Sequence, residues 1–129
     1  LLSLSFPDTI IIHKELDPDI VILIDPILLT RVMKNLIINA IQAMEKGGTL
    51  TIKTQPSSDS IRIIISDTGI GIPPGSESRI FDPLFTTKPK GTGLGLSVTK
   101  RLIEVHGGSI MLEKTSDKGT TFVVTLPVS

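Results

Sequence analysis

The longest periodic stretch, residues 26–46, constrains the fold most. Its apolar residues Leu28, Leu29, Val32, Met33, Leu36, Ile37, Ala40, Ile41 and Met44 recur at spacings of three and four, which gathers them on one face of a helix. Asp25-Pro26 supplies an N-cap and a first-turn proline, and Gly47-Gly48 ends the pattern. The aliphatic runs on either side are too short for helices of that kind. Residues 9–16 and 19–25, split by Asp17-Pro18, read as two strands joined by a tight turn, and residues 1–7 as the tail of an upstream element. Residues 50–55 and 60–66 form a second pair around Pro56-Ser57-Ser58-Asp59. A loop at 67–75, a short helical piece at 76–81 and a polar segment at 86–93 lead to a second helix, 94–106, closed by Gly107-Gly108. Strands at 109–114 and 120–126 follow, around Asp117-Lys118-Gly119. The order β-β-α-β-β-loop-α-β-β predicts an α+β fold, a two-layer α/β sandwich whose mixed sheet is covered on one face by helices.

Composition narrows the function classes. Thirteen Lys and Arg balance 13 Asp and Glu, so the basic excess of a nonspecific nucleic-acid or anionic-membrane binder is missing. The 129 residues fit one domain, residues 1–129, and the absence of Cys removes disulfides, thiolate metal sites and a Cys nucleophile. Aromatics are 3%, with no Trp or Tyr, so the core must be aliphatic and base-stacking platforms are not expected. The longest apolar stretches, such as 21–24 and 63–65, are strand-sized, so a soluble chain is expected. The start at Leu1 and the lack of a signal peptide suggest a piece of something longer.

Three features carry chemistry. On the first helix, Arg31, Asn35, Asn39 and Gln42 share one side, although Asn costs roughly half a kcal/mol against Ala inside a helix. Amide oxygens suit a hard cation such as Mg²⁺; a solvated polar face with locally bonded Asn is the plainer alternative. Asp67 ends an apolar strand and is followed by Gly69 and Gly71, so a carboxylate could accept from an amino group while bare backbone approaches a flat ligand. An Asp-x-Gly turn is the plainer reading there. Lys88-Pro89-Lys90-Gly91-Thr92-Gly93-Leu94-Gly95-Leu96 places glycines and lysines at a helix start, where free N–H groups and the helix dipole favour phosphate. It matches neither a Walker A sequence nor the dinucleotide fingerprint, and a flexible loop is the alternative.

Taken in order, these segments resemble the catalytic and ATP-binding domain of sensor histidine kinases, in the superfamily that includes gyrase, heat-shock chaperone and mismatch-repair ATPases. The N box corresponds to Asn35-Leu36-Ile37-Ile38-Asn39-Ala40-Ile41-Gln42-Ala43-Met44 and the first glycine box to Asp67-Thr68-Gly69-Ile70-Gly71-Ile72-Pro73. The F box corresponds to Ile80-Phe81-Asp82-Pro83-Leu84-Phe85-Thr86-Thr87-Lys88 and the second glycine box to Gly91-Thr92-Gly93-Leu94-Gly95-Leu96. His106-Gly107-Gly108 and Gly119-Thr120-Thr121-Phe122 are similar to the closing segments.

The resemblance implies a Bergerat-type ATP-binding fold that takes ATP and Mg²⁺. It implies Asn39 as the Mg²⁺ ligand, with Asn35 supporting metal or phosphates from one turn earlier. Asp67 would receive the adenine amino group, in a pocket shaped by Gly69, Gly71 and Ile72. Lys88, Thr92, Gly93, Leu94, Gly95 and Leu96 would meet the phosphates from a lid between Pro73 and Gly91, and Thr121 would join the nucleotide contacts. Asn35, Asn39 and Lys88 are the implied catalytic set, and Phe81 and Phe85 either anchor the lid or serve as core aromatics. Two departures stand out: Gln42-Ala43 replaces a Lys-Tyr pair common after the Mg-binding Asn, a loss that Lys88 or Lys90 could make good, and Pro74-Gly75-Ser76 replaces acidic residues. His13 and His106 read as structural, so the phosphoacceptor His belongs to a dimerisation domain upstream, with a response regulator downstream and a cytoplasmic location. Alternatives on the same fold are an ATP hydrolase, an anti-sigma-type serine kinase and a nucleotide-sensing module. In the hydrolysing relatives a Glu general base occupies the position of Asn35, which implies slow ATP hydrolysis here.

Overall fold

The computed structural model describes residues 9–17, 25–83 and 95–128. The described elements are β1 (Ile10–Glu15), α1 (Pro26–Ala43), β2 (Gly48–Pro56), β3 (Ser60–Asp67), α2 (Gly95–Val105), β4 (Ser109–Ser116) and β5 (Gly119–Pro127). They build the expected α+β sandwich: one five-stranded sheet of order β1-β2-β3-β5-β4, parallel between β1 and β2 and antiparallel elsewhere. Residues 1–7 and, of the strand expected at 19–25, residues 19–24 lie outside the described residues. The described neighbour of β1 is β2, which it meets in parallel after the α1 crossover.

Alternation along the strands puts Leu50, Ile52, Ile61, Ile63, Ile65, Phe122, Val124 and Leu126 on the face that packs against Val32, Leu36, Ile37 and Ala40 of α1 and Ile103 of α2. On the opposite face, Arg62 of β3 and Glu113 of β4 reach over the intervening β5 to an ion pair of 3.6 Å, and Val123 of β5 is buried. At the β1 end, Lys53 and His13 both contact Glu15, and the hydrogen bond from Lys53, followed by that from His13, holds the Glu15 carboxyl below its usual range. Among the described residues, no helix is long and apolar enough to cross a membrane.

The helix ends differ from expectation in instructive ways. Asp25 does cap α1, its Oδ1 accepting from Ile27 N at 2.8 Å, with Pro26 in the first turn. The helix stops at Ala43 rather than running to 46, because Met44 N turns back to the Ile41 carbonyl and the chain bends through residues 45–47. Gly48 then opens β2 instead of merely ending the helix. The piece expected at 76–81 is a single 3-10 turn, Glu77–Arg79. α2 closes as expected, with Gly107 N and Gly108 N donating to the carbonyls of Glu104 and Ile103.

Candidate functional site

The site is built where the C-terminal end of β3, the end of α1 and the β4–β5 hairpin converge. Asp67 is the last residue of β3, on the helix-facing side, and is buried. Its Oδ1 accepts from Gly69 N at 2.8 Å, which folds the chain sharply after the strand. Thr68 is tied to β2, its Oγ1 accepting from Thr49 N at 2.9 Å.

Two neighbours then clasp residues 69–72. On one side Ile70 N donates to the Ala43 carbonyl at 3.1 Å, and a Cβ at Gly69 would run into Ala43, 2.8 Å from its Cβ. On the other, Gly71 holds φ +80° with its Cα against the Ser116 carbonyl, where any side chain would collide. Glycine at both positions is therefore dictated by close approach of the protein's own chain, Ala43 and Ser116, whereas the sequence suggested approach to a flat ligand.

Ala43 also orients the polar stripe. Asn35, Asn39 and Ala43 are successive i, i+4 positions, so the Asn side chains stand on the stripe that ends against the glycine loop, one and two turns away. Both are half-buried; Arg31 and Gln42, expected on this stripe, are exposed. Asn35 Nδ2 donates to Thr99 Oγ1 (3.1 Å), and Thr99, fully buried on α2, donates to the Gly95 carbonyl at 2.6 Å. Gly95 and Leu96 thus open α2 within reach of the Asn stripe, with Leu96 half-buried against the core. Lys88, Thr92, Gly93 and Leu94 lie outside the described residues, as does Phe85. Phe81 packs edge-on against Phe122, centroids 6.2 Å apart, with Lys100 Nζ 5.2 Å from its ring, so it acts as a core-bound aromatic at the base of this segment.

The structure corrects one residue of the expected set. Thr121 faces away from Asp67: it shares a 2.5 Å hydrogen bond with Ser66, and both belong to the opposite face of the sheet. Strand alternation makes a one-residue offset a change of face. The hydroxyl beside Asp67 is Thr120, its directly opposed cross-strand partner, buried on the same side. Thr115 was missed altogether: its Oγ1 accepts from Ile72 N at 2.9 Å and lies 2.9 Å from Thr120 Oγ1. His13 is exposed on β1, and His106 Nδ1 donates to the Leu102 carbonyl at 2.8 Å just beyond α2.

A buried carboxylate beside bare backbone, facing an amide-bearing helix across from the start of a second helix, defines a nucleotide-binding domain of the α/β sandwich class. The chain belongs to the family described as histidine kinase-, DNA gyrase B-, and HSP90-like ATPase, whose model matches residues 24–129. It is 46% identical over 105 residues to the sensor histidine kinase ZraS of Salmonella typhi, which covers 81% of this chain and 23% of that protein. The nucleotide-free catalytic domain of histidine kinase ThkA superposes with a TM-score of 0.83 at 34% identity, covering 93% of this chain and 80% of the other. Full-length ShkA in complex with AMPPNP gives 0.82 at 28% identity, covering 93% and 26%.

Proposed function

We propose that this chain binds MgATP and transfers its γ-phosphoryl group to a histidine on the dimerisation domain of its own kinase, from which a response regulator is then phosphorylated in the cytoplasm. The observation that carries this reading is the clasp of the Asp67 glycine loop onto the end of the Asn35–Asn39 stripe, which sets a base acceptor beside a phosphate- and cation-binding helix face. ShkA, a similar structure, holds a nucleotide analogue, and the similar ZraS is a sensor histidine kinase.

Adenine presents an exocyclic amine to Asp67 where guanine presents a carbonyl, so adenine is preferred. The Thr120 hydroxyl stands ready beside it. The donor chemistry on α1 fits a hard cation. Thr99 spends its proton on the Gly95 carbonyl, so it can only accept from Asn35; the Asn35 amide nitrogen is therefore fixed toward α2 and its oxygen turned elsewhere. Asn39, with Asn35 in support, would hold Mg²⁺, which when bound neutralises phosphate charge. Lys88, Thr92, Gly93 and Gly95 supply the phosphate cradle in this reading. A neutral imidazole needs no base to attack, whereas water does, and Asn35 cannot act as one. Phosphate release by the chain alone should stay below about one turnover per second, slower than the ordinary enzyme range; faster release favours a hydrolase.

The test of the base pocket is calorimetry with MgADP and MgGDP. ADP should bind at least about tenfold more tightly, and Asp67→Asn should remove most of that preference by putting an amide N–H donor where a carboxylate oxygen stood, with the melting temperature little changed. Equal affinity of the wild-type chain for the two nucleotides rejects the assignment.

A further inference from the structure

Thr115 owes its position to an irregularity. In the β4–β5 pairing Leu112 opposes Phe122, Lys114 opposes Thr121 and Thr115 opposes Thr120, so Glu113 is one residue too many and the strand bulges. Were Glu113 instead paired in a regular ladder, alternation would put Thr115 on the outer face and Lys114 behind the glycine loop. The bulge reverses the parity of the strand just before the hairpin and aims Thr115 at the site side, a common use of bulges next to binding sites.

There its hydroxyl joins two parts of the pocket. Oγ1 accepts from Ile72 N, the last amide of the glycine loop, and lies 3.2 Å from where a Cβ on Gly71 would stand. The same oxygen touches Thr120 Oγ1 at 2.9 Å, and either hydroxyl could donate in that pair. The surroundings decide the direction. Thr120 is buried directly opposite Asp67, and a hydroxyl that turned its lone pairs toward a carboxylate would meet repulsion. The favourable arrangement has Thr115 donating to Thr120, which leaves the Thr120 proton directed toward the Asp67 side of the pocket.

We infer that Thr115 is a positioning residue for base recognition: placed by the Glu113 bulge, it fixes the glycine loop through Ile72 N and sets the polarity of the Thr120 hydroxyl beside Asp67. The inference rests on the reading of Asp67 as the base contact. It assigns Thr115 no contact with nucleotide.

Thr115→Val removes the hydroxyl at nearly constant shape, and Thr115→Ser keeps it. In the ligand-free 129-residue chain, amide exchange at Ile72 should quicken about tenfold or more in T115V and stay near wild type in T115S. MgADP binding should weaken about 5- to 20-fold in T115V, the loss expected for a broken buried hydrogen-bond pair. Affinity for magnesium tripolyphosphate, which has no base, should change less than twofold, and T115S should recover MgADP affinity to within about twofold. The inference is overturned if T115V leaves Ile72 exchange and ADP affinity unchanged, if it weakens tripolyphosphate as much as ADP, or if T115S fails to rescue. A wild-type chain that binds ADP no better than GDP removes the base pocket itself and this inference with it. A wild-type chain that prefers ADP, with T115V indifferent, removes this inference alone.

Discussion

Asn39→Ala should lower Mg-dependent phosphoryl transfer to a separately supplied dimerisation domain by about 100-fold or more, the scale on which losing one charge-stabilising group acts. The fold should survive, because Asn39 is only half-buried in mid-helix and Ala is the better helix former by roughly half a kcal/mol. Labelled phosphate on the acceptor domain is the measurement, with the melting temperature as control. Transfer within about tenfold of wild type would show that Asn39 does not hold the cation. The Ala variant should also lose most of the difference between ADP affinity in Mg²⁺ and in a chelator, which separates a binding defect from a chemical one.

Gly71→Ala is expected to damage both stability and binding. The residue sits at φ +80°, which costs an L side chain about 1–2 kcal/mol, and the added methyl would also fall on the Ser116 carbonyl. Gly75→Ala is the natural comparison: φ is +86°, yet nothing lies within 4 Å of a Cβ there. Gly75→Ala should lower the melting temperature by about 4–8 °C, and Gly71→Ala by more than that, with MgADP affinity falling tenfold or more only in the latter. Equal shifts for the two variants would mean that the hairpin yields to the methyl and that the close approach is not part of the pocket.

What the sequence disclosed, and what it withheld, follows the range of the interactions involved. α1 was legible because a cap, a proline and an amphipathic period are all local, and the Asp67–Gly69 turn was legible for the same reason, but the Ala43 and Ser116 backbone that leaves Gly69 and Gly71 no room for a side chain was not. The β1–β2 pairing is between strands separated by a whole helix, and no local signal distinguishes it from a hairpin. Thr120 and Thr121 are adjacent and chemically identical, so only the register against β3 tells which faces Asp67. Thr115 required the bulge at Glu113, for which Leu112-Glu113-Lys114 carries no glycine or proline mark. The helix end at Ala43 was hidden for a similar reason, since its carbonyl is taken by Ile70, 27 positions further along.

The placement of β5 bears on the order in which the domain comes into being. It is the last strand of the described chain to leave a ribosome, yet it lies inside the sheet, between β3 and β4. Until it emerges, β3 has no partner on that edge, Asp67 has no Thr120 opposite, and the glycine loop has only its α1 side to lean on. A nascent chain truncated before Gly119 therefore exposes an unpaired, isoleucine-rich β3 edge and has no complete base pocket. In the proposed reading, a complete base pocket therefore requires the closed sheet.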